Sequence, residues 1–167
     1  MNRCGFMILE LLIVVSLCAL IAMLSMMQLS FLDSTIAHAE VDKLAGACSY
    51  FRQKAIATNS EYVLTCDVQN NEYRCDNMRE KLSQRLCFGF LPNVLGPSKY
   101  AIHRINKAVT FVGSAIHFYP TGIISSGSVY LTDKCKKIMY ALSNAVSQVS
   151  YLRLYRYDGK WELLNPV

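Results

Sequence analysis

The order of patterns along these 167 residues predicts an α+β fold in which a long N-terminal helix precedes an antiparallel β-sheet or β-sandwich domain. Three observations carry this reading. Residues 6–32 are almost uninterruptedly apolar, with Glu10 as their one charged residue. Residues 34–59 contain no proline and place Val41, Leu44, Cys48, Phe51 and Ala55 at three- and four-residue steps. After Asn59-Ser60 the apolar period changes to two, and short turn signals recur to the end of the chain.

The first element is long enough for a membrane, since ~20 apolar residues span a bilayer. With Asp33 or Ser34 as a local cap, the helix continues to about residue 59, and its stripe would pack on a sheet. Beyond it, Tyr62, Leu64, Cys66 and Val68 alternate with polar residues on one strand. Further strands are expected around 84–91, 100–105, 108–112, 115–119, 128–132, 136–142, 150–157 and 160–164. They are separated by turns at Pro92-Asn93, Gly96-Pro97, Thr121-Gly122, Ser126-Gly127 and Asp158-Gly159. The expected organisation is therefore a leader at 1–5, a membrane helix at 6–32, its amphipathic continuation at 33–59 and a β-rich domain at 60–167.

Glu10 is the residue that the apolar run does not explain. A carboxylate inside a spanning helix costs ~2.5–3.5 kcal/mol on insertion scales and calls for a partner. Cleavage between Gly5 and Phe6 would create a positive amine about one helical turn away, or opposite Glu10 in a staggered neighbouring helix. An ordinary secretory signal ending at Ala37-His38-Ala39 has a shorter apolar core. A plain uncleaved anchor leaves Glu10 without a role. Arg3 on the short side favours a cytoplasmic N-terminus and an exported remainder.

Gly5, Phe6, Glu10 and Leu11-Leu12-Ile13-Val14-Val15 resemble the class III signal of type IV pilins and pseudopilins. The resemblance implies that a prepilin peptidase removes residues 1–5, that Phe6 is N-methylated, and that Glu10 serves assembly. The run from His117 through Tyr119-Pro120-Thr121-Gly122 and Ser125-Ser126-Gly127 to Leu131 is similar to a stretch of the GspH/FimT class of minor pseudopilins. That class implies a pilin-like fold and a structural subunit near the tip of a type II secretion pseudopilus or a type IV pilus. Its partners would be other pilins, the peptidase and the inner-membrane assembly platform, with the C-terminal domain in the periplasm. The usual Gly-Arg of the class has no counterpart in Gln148-Val149-Ser150-Tyr151-Leu152-Arg153.

Cys48, Cys66, Cys75, Cys87 and Cys135 fall in the exported part. A two-residue turn at Asn70-Asn71 would set Cys66 opposite Cys75, within disulfide reach in an oxidising compartment. The alternative is that these are buried reduced thiols. No ligand spacing points to a metal or cofactor, and no catalytic motif appears, so the chain is read as non-enzymatic. Lys134, Lys136, Lys137, Arg153, Arg156 and Lys160, interleaved with tyrosines and Trp161, carry much of the net charge of +5. This pattern suits DNA, as in FimT-like members that serve natural transformation, or else a solvated basic face with the tyrosines in the core.

Overall fold

The computed structural model describes residues 3–97, 103–134, 136–144 and 151–166, with side-chain surroundings for these apart from 3–7, 25–34 and 165–166. It contains a helix, α1 (Arg3–Thr58), and nine strands among the described residues. These are β1 (Tyr62–Asp67), β2 (Glu72–Cys75), β3 (Met78–Lys81), β4 (Leu86–Phe88), β5 (Ala115–Phe118), β6 (Gly127–Asp133), β7 (Met139–Asn144), β8 (Arg153–Tyr157) and β9 (Trp161–Pro166). They form two antiparallel sheets, ordered β3-β2-β1-β5 and β4-β6-β7-β8-β9. The chain falls into two compact units, Met1–Ile36 and Ala37–Val167.

In the larger unit the stripe on α1 organises the core. Ala37, Val41, Leu44, Cys48, Phe51 and Ala55 are all buried, and they join a single cluster with Leu64, Ile116 and Phe118 of the first sheet and Leu131, Leu142 and Leu154 of the second. Each such aliphatic or aromatic side chain contributes ~1.5–3 kcal/mol on burial, so this face fixes the helix to both sheets. Lys43 reaches Glu80 at 2.7 Å and Lys54 reaches Asp76 at 2.9 Å, placing ion pairs between α1 and β3 and between α1 and the β2–β3 turn.

β6 and β7 are buried on both faces. Their inner residues meet α1, and their outer residues Tyr130, Met139 and Ala141 are covered by Phe90, Val94 and Ile105 from the connection between β4 and β5. That connection is held down where the Trp161 Nε1 donates to the Leu95 carbonyl at 2.8 Å. Residues 108–112, expected as a strand, make an isolated bridge at Val109–Val129 and then enter a 3₁₀ turn, Val112–Ser114. In the expected strand at 100–105, Arg104 pairs singly with Leu95, and residues 98–102 lie outside those described, as does residue 150. β3 has no counterpart among the expected strands.

The hairpin register also differs from expectation. Asp67 pairs with Glu72 and Cys66 with Tyr73, so the connection is four residues, 68–71, rather than two. The Asp67 carboxylate accepts from the backbone N–H groups of Gln69 and Asn70 at 3.0 Å each and from the Asn70 side chain at 2.7 Å. These bonds, led by the Asn70 N–H, hold its carboxyl below the usual range. Asn71 takes a left-handed φ of 57°, and its side chain bonds Leu86 O and Phe88 N at 2.7 and 2.9 Å. Local side-chain capping of this kind competes with the tighter turn.

The segment between β5 and β6 carries the chain from one sheet to the other. Gly122 has φ +79°, and Arg52 of α1 donates to its carbonyl at 3.2 Å. At Gly127 a Cβ would stand 2.5 Å from Phe111 Cγ and 2.9 Å from its backbone Cα. Gly127→Ala is therefore expected to cost about 1–3 kcal/mol through overpacking, seen as a lower thermal midpoint; an unchanged midpoint would show that Phe111 yields without strain.

Candidate functional site

The smaller unit, Met1–Ile36, is an apolar helix segment. Every side chain described between residues 8 and 24 is exposed, and Leu11, Leu12 and Met23 are more than three-fifths so. The hydroxyl of Ser16 is satisfied inside the helix by the Ile13 carbonyl at 2.8 Å. Glu10 is exposed and makes no hydrogen bond or ion pair among the described residues. A helix apolar all round belongs against other apolar surface. Among the described residues no helix is long and apolar enough to cross a membrane; the sequence run at 6–32 extends beyond the part whose side chains are described. Gly5 and Phe6 lie within α1, and their side-chain surroundings fall outside the described residues.

The basic residues do not share one face. Lys134, Lys136 and Lys137 stand at the β6–β7 turn, where the Asp133 carboxylate accepts from the Lys137 and Ile138 backbone N–H groups at 2.7 and 3.1 Å. Lys160 stands in the β8–β9 turn at the same end of the sheet, because Met139 pairs with Tyr157. Arg153 pairs with Ser143 four residues away, roughly 14 Å along the strand. There its guanidinium donates to the Tyr151 hydroxyl at 3.0 Å. Arg156 lies opposite Tyr140, on the face turned toward α1, and pairs with Asp158 at 3.7 Å. Its Nε is buried without a hydrogen-bond partner among the described residues. Of the interleaved aromatics, Tyr140 is buried in the core, and Tyr155 and Tyr157 pack on Trp161 with ring centroids 6.3 and 5.1 Å away.

Lys136 instead lines, with Lys107, Asn106 and Ser114, a cleft of about 710 Å³ that has Phe88, Phe90 and Val109 on its apolar walls. Lys107 did not stand out in the sequence, because it becomes Lys136's neighbour through the fold alone. Among the described residues no three His, Cys, Asp or Glu groups could hold a metal ion. His117 pairs with Glu61 at 2.6 Å and His38 with Asp42 at 2.8 Å.

The observed register corrects the expected pairing of Cys66 with Cys75: Tyr73 is opposite Cys66, and both thiols are free. Cys48 and Cys87 are free as well, and Cys135 lies outside the described residues. Burial pushes the Cys66 thiol up to about 12 and the Cys75 thiol up to about 11. Within the stretch 117–131, residues 119–126 form the crossover between β5 and β6, held by hydrogen bonds. His117 N donates to Ser125 Oγ at 3.0 Å, Ser125 N donates to His117 O at 3.0 Å, and the buried Asn144 side chain donates to Ile124 O at 2.9 Å.

No protein-family profile matches the chain, and no curated protein matches it. Among solved structures it is similar to the minor pseudopilin EpsH from the type 2 secretion system of Vibrio cholerae. The identity is 10% and the TM-score 0.48, covering 77% of this chain and 95% of that one.

The buried thiols give a pH signature. A thiol neutral in the fold but free to ionise when unfolded makes the unfolded state lose protons first, so stability falls as pH rises above the ordinary thiol range toward about 12. Urea unfolding from pH 8 to 11 is expected to show this decline, and Cys66→Ala to lessen it; equal slopes for both proteins would remove the thiol as its cause.

Proposed function

We propose that this protein is a minor pseudopilin, a structural subunit that joins the tip of a type II secretion pseudopilus or type IV pilus and helps to initiate its assembly. The observation that carries the reading is Glu10, the single charge in an apolar run and exposed on a helix whose surrounding side chains have no cover within their own unit. Lipid provides that cover before assembly, and sister helices provide it afterwards.

In this reading the leader at 1–5 is removed by the prepilin peptidase, the Phe6 amine is methylated, and residues 6–32 anchor the chain in the inner membrane with 60–167 in the periplasm. Glu10 then meets the Phe6 amine of a neighbouring subunit, which neutralises both charges where water is absent. The chain acts by packing rather than by catalysis. In the alternative reading, as a DNA-binding subunit, Lys134, Lys136, Lys137 and Lys160 at one turn end of the second sheet would make the contact, with Arg153 at the distant strand end.

Protein recovered from its native membrane is expected to begin at Phe6 and to carry one extra methyl group by intact mass and terminal sequencing. A chain beginning at Met1 or at Glu40 would contradict the proposal. Glu10→Ala is expected to leave the folding of 37–167 unchanged and to remove the subunit from filaments, scored by co-purification with the other pilins.

A further inference from the structure

The cleft of about 710 Å³ beside β4 has the size of a small-molecule site, ~300–1,000 Å³. Phe88, Phe90 and Val109 give it apolar walls, and Lys107, Lys136 and Ser114 give it a polar side. Among the described residues no Asp or Glu lines it, and neither ammonium group has an ion pair or hydrogen bond. Asp133, the acid nearest Lys136 in the chain, is engaged elsewhere, because its carboxylate accepts from the backbone N–H groups of Lys137 and Ile138. Two cations beside an apolar surface, with no acid of the protein to neutralise them, complement an anion that carries an apolar body.

The backbone marks the same place. Among the described residues other than glycine, Asn59, Asn71, Asp76, Asn93, Ser114 and Lys136 have a left-handed φ. Asn and Asp tolerate that region through their short polar side chains. Ser114 at 56° and Lys136 at 52° have no such excuse, and both line the cleft. Residues held in sparsely populated conformations cluster at ligand-binding sites.

The edge of β4 tells a small ligand from a peptide. β4 ends its sheet, and two backbone groups that it would offer to a further strand are already taken: the Asn71 side chain donates to Leu86 O at 2.7 Å and accepts from Phe88 N at 2.9 Å. An extended segment adding along this edge would have to displace Asn71. A ligand held by side chains would not.

We propose that this cleft binds a small aromatic carboxylate, with its ring against Phe88, Phe90 and Val109 and its carboxylate held by Lys107 and Lys136. Ring burial draws the ligand out of water, and the two ammonium groups select the acid over a neutral or cationic analogue. Every residue of the site belongs to the unit Ala37–Val167, so the assignment stands apart from the role proposed for residues 1–36.

The test photolabels the full chain, held in phospholipid nanodiscs, with para-benzoylbenzoate, a carboxylate whose benzophenone inserts into nearby C–H bonds under ultraviolet light. Peptide mapping should place the label within residues 86–92 or 106–114. Excess naphthoate should suppress it, whereas naphthylmethylamine, with the same ring and a cationic arm, and acetate should not. Lys107→Gln and Lys136→Gln, each shown by circular dichroism to be folded, should raise the concentration for half-maximal labelling about fivefold, the upper end for an exposed ion pair. Lys160→Gln, in the β8–β9 turn outside the cleft lining, should leave it unchanged. No label, label confined to the apolar helix, equal suppression by naphthylmethylamine, or unchanged half-maximal labelling in both lysine variants would overturn the proposal.

Discussion

The buried stripe of Ala37, Val41, Leu44, Cys48, Phe51 and Ala55 on α1 is the contact on which the larger unit depends. Neither sheet could bury its inner face against water-exposed helix, and the two sheets share this one apolar surface as a common floor. The ion pairs Lys43–Glu80 and Lys54–Asp76 add direction rather than much energy, since partly exposed pairs contribute little. They hold the helix at one lengthwise position over the β1–β2–β3 hairpins.

The parts of the fold visible in the sequence are those governed by periodicity. All five residues of the helical stripe at 41–55 are buried, and Leu64 and Cys66 point inward as the two-residue alternation requires. What escaped was decided by side chains acting locally or over long separations. Asp67 captured the backbone of residues 69 and 70, and this lengthened the hairpin connection and moved the register by which Cys66 was matched to Cys75. Parts of the connection between β4 and β5 read as strands because they are apolar, but Phe90, Val94 and Ile105 serve as a lid over the outer face of β6 and β7. β3 carries Arg79 and Glu80, whose partners Glu72 and Lys43 come from other elements. No period within Met78–Lys81 announces that role.

The candidate sites divide in the same way. The proposed signal at Gly5, Phe6 and Glu10 is a local pattern of the sequence, because a charge in an apolar run stands out whatever the fold. The basic C-terminal residues look like one group in the sequence, yet strand alternation sends Arg156 to one face and Arg153 to the other. The Thr121–Gly122 and Ser126–Gly127 region explains itself as architecture: it is the crossover between sheets, closed around Phe111 and tied to α1 through Arg52. A sequence match there follows from the needs of this crossover and requires no ligand.

The functional account rests on a charge pair between subunits, Glu10 of one chain with the Phe6 amine of the next. Zero-length carbodiimide cross-linking of filaments drawn from native membranes tests it most directly, because the reagent joins a carboxylate to an amine only when the two are in contact. The account predicts a peptide in which the Phe6 nitrogen of one chain is bonded to the Glu10 side chain of another pilin, or the reverse. Efficient cross-linking of the filaments with Glu10 always unmodified or joined to a lysine would contradict it.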